Sequence, residues 1–350
     1  MNKITKKSDI SWVAGAKILV TGAAGTVGRE LVKQLCQNSS VKIIGIDQNE
    51  NEIFALSEAY RNYDYVNHFV ADVRHMGGLE RHFFDVDYVF HTAALKHVIL
   101  GEWAPDQVVA TNVIGVQNVI SLCKKFPVKK LIFTSSDKAV GPTNVMGASK
   151  LMGERLIAAE YRENKQNHCR FISTRFGNVL GSAGSVFDIF VESIHAGRKL
   201  TITDTEMTRY MMSIEDAVAL VIESARIGRG GEIFVARMPI IRIIDLAKAI
   251  SQIIKPGAEI DFEIIGKKAG EKLYEELMTP SEAKFALESE DFFVIPGEGR
   301  NLRTTDYLGF NEISSNSDGW GASQQGPFIS VEEIIHLIEK SDLLNTISRA

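Results

Sequence analysis

The segment KILVTG (17–22), followed without a break by Ala23, Ala24, Gly25, Thr26, Val27 and Gly28 and then by an amphipathic stretch, constrains this chain more than any other feature. A β-rich run that enters a turn with Gly22, Gly25 and Gly28 and leaves it in helical periodicity is a strand-turn-helix unit. The glycines allow a tight turn, a close approach of backbone to a pyrophosphate, and packing of the helix on the strand. The helix N-terminus, at Thr26 and Val27, adds partial positive charge. Such turns also occur for packing alone, so the surrounding pattern decides.

That pattern is an alternation of short apolar runs with longer helical stretches, the mark of βαβ units and a parallel sheet. Strands are expected at 17–21, 41–46, 66–70, 87–91 and 130–134, with FISTRFGNV (171–179) as a sixth. Helices are expected from Val27 to Gln37, over 106–125, and from Asn144 to Asn164, with Pro127 forcing a turn before the fifth strand. The fold class is α/β, a doubly wound parallel sheet with a smaller C-terminal lobe. Past Gly181 the alternation is irregular: helices at 184–196, 213–227 and 243–254, and strands LTIT and EIFVAR. Residues 1–180 read as the dinucleotide-binding core with the catalytic groups. Residues 181–350 read as mainly a substrate lobe and tail, partly interleaved with the core. The Gly-, Ser- and Asn-rich stretch 295–327 leads to a helix with a capping-box spacing, Ser330 and Glu333.

Composition closes off several function classes. A net charge of −5 with mixed signs argues against a nucleic-acid footprint. Cys36, Cys123 and Cys169 are far apart and without metal-ligand spacing, so a metal site is not expected and the thiols read as reduced. No run approaches the ~20 apolar residues of a membrane span, and the N-terminus lacks a signal-peptide core, so a cytoplasmic protein is expected.

Successive strand ends carry residues suited to a dinucleotide. Asp47 closes the second strand 19 residues after Gly28. A carboxylate there can accept hydrogen bonds from both ribose hydroxyls and repels a 2′-phosphate, which favours NAD over NADP. A helix cap or solvated turn is the alternative for Asp47. Asp72, followed by Val73, stands where the adenine amino group is met in this fold. Ala93 and Ala94 are small enough for backbone to lie against the cofactor.

The fifth strand ends in Ser135, Ser136, Asp137 and Lys138, and the next helix carries Met146 and Lys150. Short-chain dehydrogenases have Ser or Thr at this strand end and Tyr-x-x-x-Lys on that helix. Here Met146 stands in the Tyr position, and a thioether neither gives nor takes a proton. Tyr161 and Lys165 repeat the spacing, but several turns away from the strand end. Asp137 and Lys138 could alternatively form a surface turn with an ion pair, and Lys150 a solvated helix face.

The segments HTAALKHV (91–98), TNVIGVQNV (111–119), SSDKAVGPTNVMGASK (135–150), RFGNVLGSAGSV (175–186), TRYMMSIEDAV (208–218) and AGEKLYEEL (269–277) resemble the bacterial polysaccharide-biosynthesis UDP-N-acetylglucosamine 4,6-dehydratases, extended short-chain dehydrogenase/reductases, over roughly residues 15–290. Met146 resembles the soluble, configuration-retaining branch, whereas the inverting branch has Tyr. The resemblance implies NAD as cofactor, a UDP-sugar substrate, a role in surface glycan synthesis, and a homo-oligomer, dimer or higher. It further implies cofactor contacts at Lys96, Asn112 and Lys150 and substrate contacts at Lys96, His97, Asn178, Arg209 and Glu271. His97 alone would more often be structural. Two positions depart from the pattern: Lys268 replaces an Arg and loses its bidentate fork, and Ile99 replaces a Pro. By the same resemblance Ser136 meets the sugar 4-hydroxyl, Lys138 takes the C5 proton, and Asp137 protonates the departing 6-hydroxyl. As a base Lys138 has to be neutral, which requires its pKa to fall well below ~10.4. An inverting dehydratase, a C4 epimerase of the same fold and a non-catalytic NAD-binding regulator are the competing readings.

Overall fold

The computed structural model describes residues 9–163, 168–257, 260–297, 307–313, 319–341, 343–344 and 347. Six strands pair in parallel: β1 (Lys17–Thr21), β2 (Lys42–Asp47), β3 (Val66–Val70), β4 (Tyr88–His91), β5 (Lys130–Thr134) and β6 (Arg170–Arg175). Their spatial order is β3-β2-β1-β4-β5-β6, so the winding direction reverses beside β1. Helices α1 (Thr26–Leu35), α2 (Glu50–Ala59), α3 (Met76–Glu80), α4 (Val98–Trp103), α5 (Pro105–Val109), α6 (Gly115–Lys125) and α7 (Val145–Glu163) connect them. The period of two along each strand builds two cores. Val20, Phe90 and Ile132 pack with Leu31 and Val32 of α1 on one face. Leu19, Val89, Leu131 and Phe133 pack with Val116 and Ile120 of α6 and Ile157 of α7 on the other. Strands buried on both faces read as near-continuous apolar runs, and the first five lie within one residue of their expected bounds.

The later chain adds β7 (Asn178–Val179), α8 (Val186–His195), β8 (Leu200–Ile202), β9 (Thr208–Met212), α9 (Ile214–Ile227), β10 (Ile233–Ala236), β11 (Ile240–Arg242) and α10 (Ile243–Ile254). It continues through β12 (Phe262–Ile264), α11 (Pro280–Ala283), β13 (Leu287–Glu288), β14 (Phe292–Ile295), β15 (Asn311–Glu312) and α12 (Val331–Glu339). β10 joins the main sheet parallel to β6, and β14, β13 and β15 extend it antiparallel to ten strands. β7, β9 and β11 form a small separate sheet, and a third core gathers Phe187, Phe190, Leu246, Ile250 and Ile334 from α8, α10 and α12.

Two expectations are corrected and one element is added. The helix expected over 106–125 starts at Pro105 and is broken by a π-turn at Ala110–Ile114, where Asn112 turns inward to bond the Leu95 backbone. The strand expected over 171–179 ends at Arg175. Phe176 gives its carbonyl to the Asp137 N–H, and Asn178–Val179 pairs with β9 instead. TRYMM, which the sequence leaves unassigned, is the fully buried strand β9. The ends of two expected features, Asn164 and much of 295–327, lie outside the described residues, as does Lys165. Among the described residues no helix is long and apolar enough to cross a membrane.

Candidate active site

The site lies along the carboxyl ends of β1 to β6, where the winding reversal leaves a crevice. Gly22 has φ +70°, and a Cβ there would lie 2.6 Å from the Ala93 nitrogen, so strand ends β1 and β4 touch through it. A Cβ on Gly28 would run into the Gly22 carbonyl. Gly25 is the N-cap of α1, and no side chain caps that helix, which leaves its first-turn donors for an anion. Thr26 Oγ1 accepts from the Ala183 N–H at 3.3 Å, tying this turn to the loop before α8, while Val27 packs into the core beneath.

Gly22, Gly25, Asp47, Asp72, Val73 and Ala93 line one cleft, with Ala94 beside them. Asp47 receives the Ala24 N–H at 3.3 Å and the Asn49 N–H at 3.0 Å. The Asp72 carboxylate is gripped by Arg74, at 2.6 Å from Nη2, and that pairing holds it below the usual carboxylate range. Arg74 also donates to Gln48 and Gln107, a rim the sequence did not mark. A glycine cradle, an uncapped helix end and a ribose-height carboxylate fit a dinucleotide.

At the end of β5 the chain turns through one 3-10 turn, Asp137–Ala139, capped by Ser136. Ser136 Oγ donates to Asp137 Oδ1 at 2.9 Å. Lys138 Nζ donates to Asp137 Oδ1 and to Asn178 Oδ1, each at 3.0 Å, and lies 3.7 Å from Glu275 Oε1. Asp137 is fully buried, and its Oδ2 has no hydrogen-bond partner. So Ser136, Asp137, Lys138 and Asn178 come together, and Glu275, which the sequence analysis did not single out, joins them. The expectation of a lowered Lys138 pKa is corrected. Burial works against the ammonium, but Asp137 and then Glu275 outweigh it and raise the value. Glu275 is itself raised, by burial first, with Lys138 opposing and Asp137 adding to the shift.

Lys150 is buried in α7, donates to the Thr134 carbonyl at 2.8 Å and lies 4.9 Å over the Phe133 ring. Burial pushes its pKa down to about 8 against the pull of Glu154. Met146, one turn earlier, is buried near Gly101 of α4. Asn112 holds both the Leu95 N–H (2.8 Å) and carbonyl (2.9 Å) and donates to Ser149 at 2.9 Å. It positions the strand-end loop and the lysine helix, and Thr111 rather than Asn112 lines the cleft.

On the sugar side, Lys96 and His97 are exposed, and the His97 ring lies against Gly184. Arg209 turns inward: Nη1 and Nη2 donate to the carbonyls of Thr208 (2.7 Å) and Lys272 (2.8 Å), with Glu271 3.8 Å away. It therefore holds the 271–275 segment against β9.

Comparison with known proteins bears on this geometry. An uncharacterized membrane protein of Methanocaldococcus jannaschii is 44% identical over 283 residues, 79% of this chain and 85% of its own. A UDP-N-acetylglucosamine 4,6-dehydratase (inverting) of Campylobacter jejuni is 39% identical over 333 residues, 93% of this chain and 98% of its own. The X-ray structure of Pen from Bacillus thuringiensis matches with a TM-score of 0.87 at 36% identity, over 95% of this chain and 99% of that one. The family model for polysaccharide biosynthesis proteins matches residues 18–296, from the first strand through β14 of the main sheet, and the chain belongs to that family.

Proposed function

We propose that this chain is a nucleotide-sugar 4,6-dehydratase that uses NAD and removes water from UDP-N-acetylglucosamine, leaving a 4-keto-6-deoxy sugar with its C5 configuration retained. The observation that carries the reading is the Asp137-Lys138 pair at the end of β5, Asp137 buried and Lys138 half-buried, hydrogen-bonded to Asn178, with Lys150 held on the Thr134 carbonyl of the same strand. Bound over the glycine turn and Asp47, NAD supplies a hydride acceptor for C4 and a hydride donor for C6. Ser136 holds the sugar 4-hydroxyl, and Lys150 orients the nicotinamide ribose. Lys138, once neutral, takes the C5 proton, which a 4-ketone makes acidic. Asp137 Oδ2, buried without a partner, faces the departing 6-hydroxyl as its proton donor. Lys96, His97 and Glu271 contact the nucleotide.

Retention follows from Met146. With a thioether in place of the phenol, Lys138 is the one base at C5, so the proton returns to the face it left. The C. jejuni relative is named as inverting, which supports the dehydratase reading and leaves the stereochemistry to be measured. The test is an NMR time course with UDP-N-acetylglucosamine in deuterated water. Loss of the 6-hydroxyl with deuterium at an unchanged C5 is expected. An inverted C5 would remove retention alone, whereas a product that keeps its 6-hydroxyl would sink the dehydratase reading.

A further inference from the structure

Lys138 has to lose a proton before it can accept one, and Asp137, its hydrogen-bond partner at 3.0 Å, has to hold a proton of its own to act as the acid at the 6-hydroxyl, so a further acceptor is needed. Glu275 lies on the 271–278 segment, which is clamped on both sides. Its N–H donates to Ser323 Oγ at 3.1 Å and its carbonyl accepts from the Ser323 N–H at 2.9 Å. Arg209 holds the carbonyls of Lys272 and Leu273, and Lys272 Nζ donates to the Val140 carbonyl at 2.8 Å. The clamp delivers the Glu275 carboxylate, only 2% exposed as a residue, to 3.7 Å from Lys138 Nζ. Its Oε2 has no hydrogen-bond partner, and its nearest cation besides Lys138 is Lys272 at 3.9 Å. A buried carboxylate oxygen left bare is costly unless it can be protonated.

We propose that Glu275 is the proton store of the site, taking the proton that Lys138 must shed before Lys138 accepts the one at C5. This inference rests on the dehydratase reading. The transfer breaks an Nζ–H bond of Lys138 and makes an O–H bond on Glu275, so the charge of the cluster is unchanged and no co-reactant is needed. After the C5 proton has come and gone, Glu275 returns its proton and the ammonium is restored. The charged groups facing the pair are Asp137, Arg209 and Lys272, with the Tyr210 phenol on the far side of Asp137. Arg209 and Lys272 oppose protonation of Glu275, whereas burial and Asp137 favour it, and the net displacement is upward.

The experiment compares wild type, Glu275→Gln and Glu275→Ala by two readouts across pH: deuterium entry at C5 of the sugar, and reduction of bound NAD in a single turnover. Gln fills the same space but cannot take the proton. C5 exchange is expected to slow at least about tenfold while NAD reduction stays within about threefold. In the Ala variant, formate is expected to restore part of the exchange. Exchange within about twofold of wild type in Gln, or both steps slowed alike with no rescue in Ala, overturns the proposal. Because these variants can misfold, the wild-type holoenzyme with glutamate-labelled carboxyls provides a second reading by carbon-13 NMR. One buried carboxyl should take up its proton above the ordinary glutamate range, and a Glu275 carboxyl that titrates at or below that range overturns the idea. A wild type that neither exchanges C5 nor loses the 6-hydroxyl sinks the dehydratase reading and this inference together. An active wild type with an indifferent Glu275→Gln sinks this inference alone.

Discussion

Two lysines of the site, Lys138 half-buried and Lys150 buried, are shifted in opposite directions, and the cause is which carboxylates reach them. Lys138 has Asp137 at 3.0 Å and Glu275 at 3.7 Å, and its ammonium is favoured. Lys150 bonds only a backbone carbonyl, and burial wins, to about 8. Replacing Lys138 by Met should therefore abolish C5 exchange, a loss of at least about a hundredfold, while leaving two carboxylates without their cation and lowering thermal stability. Lys150→Met should behave differently, losing turnover while keeping its unfolding free energy within about 1 kcal/mol, because it removes a charge that burial already disfavours. The pH dependence follows. The folded Lys150 pKa lies below the unfolded value of ~10.4, so between about pH 8 and that value the unfolded chain holds more protons and stability rises with pH. Denaturant titrations across that window should show a rise in wild type that is smaller in Lys150→Met, where Lys130, which burial also lowers to about 8, still contributes.

Between elements, the strongest polar link is Arg175 on β6. Its guanidinium forks onto Glu154 of α7 at 2.7 and 3.0 Å, reaches Glu282 of α11 at 3.1 and 3.3 Å, and donates to the Leu277 carbonyl at 2.8 Å. Arg175→Met would leave Glu154 buried and unpaired, and should cost about 4 kcal/mol, read as a drop in denaturation midpoint. The strands of the sheet were legible in the sequence because their apolar runs are local. The glycine turn was legible too, since its spacing and context lie within one βαβ unit. Arg175, Glu154 and Glu282 were not, because their partners are 21 and 107 positions apart and nothing local marks them. Glu275 escaped for the same reason: Glu275 and Glu276 are adjacent in the sequence, and only the Ser323 clamp decides which of them is turned toward Lys138. The π-turn at 110–114 was hidden because its residues keep helical periodicity. β9 was hidden because Thr208 and Arg209 are polar residues buried at the start of a strand, each satisfied by partners far along the chain.

At the scale of the molecule, the cleft that Asp47 of β2 shares with Gly22 and Ala93 spans the carboxyl ends of β2, β1 and β4, so a dinucleotide lying in it contacts the sheet on both sides of the winding reversal. A ligand that binds only the folded state stabilises it by mass action, about 2.7 kcal/mol at a hundredfold excess over its dissociation constant. NAD should accordingly raise the midpoint of thermal unfolding. NADP at the same concentration should raise it far less, for two reasons in the crevice. The proposed place of the Asp47 carboxylate at the ribose sets it against a 2′-phosphate. Arg74 on the rim of the cleft cannot compensate, because Asp72 takes its Nε at 2.8 Å and Nη2 at 2.6 Å, and Gln107 takes Nη1 at 2.9 Å. Freeing that guanidinium means breaking a pair that already holds Asp72 ionised. Asp47→Asn removes the repulsion while keeping the side-chain volume, so it should narrow the gap between the two cofactors mainly by weakening NAD. Equal midpoint shifts with NAD and NADP in the wild type would show that Asp47 does not meet the ribose and that the cofactor lies elsewhere along the crevice.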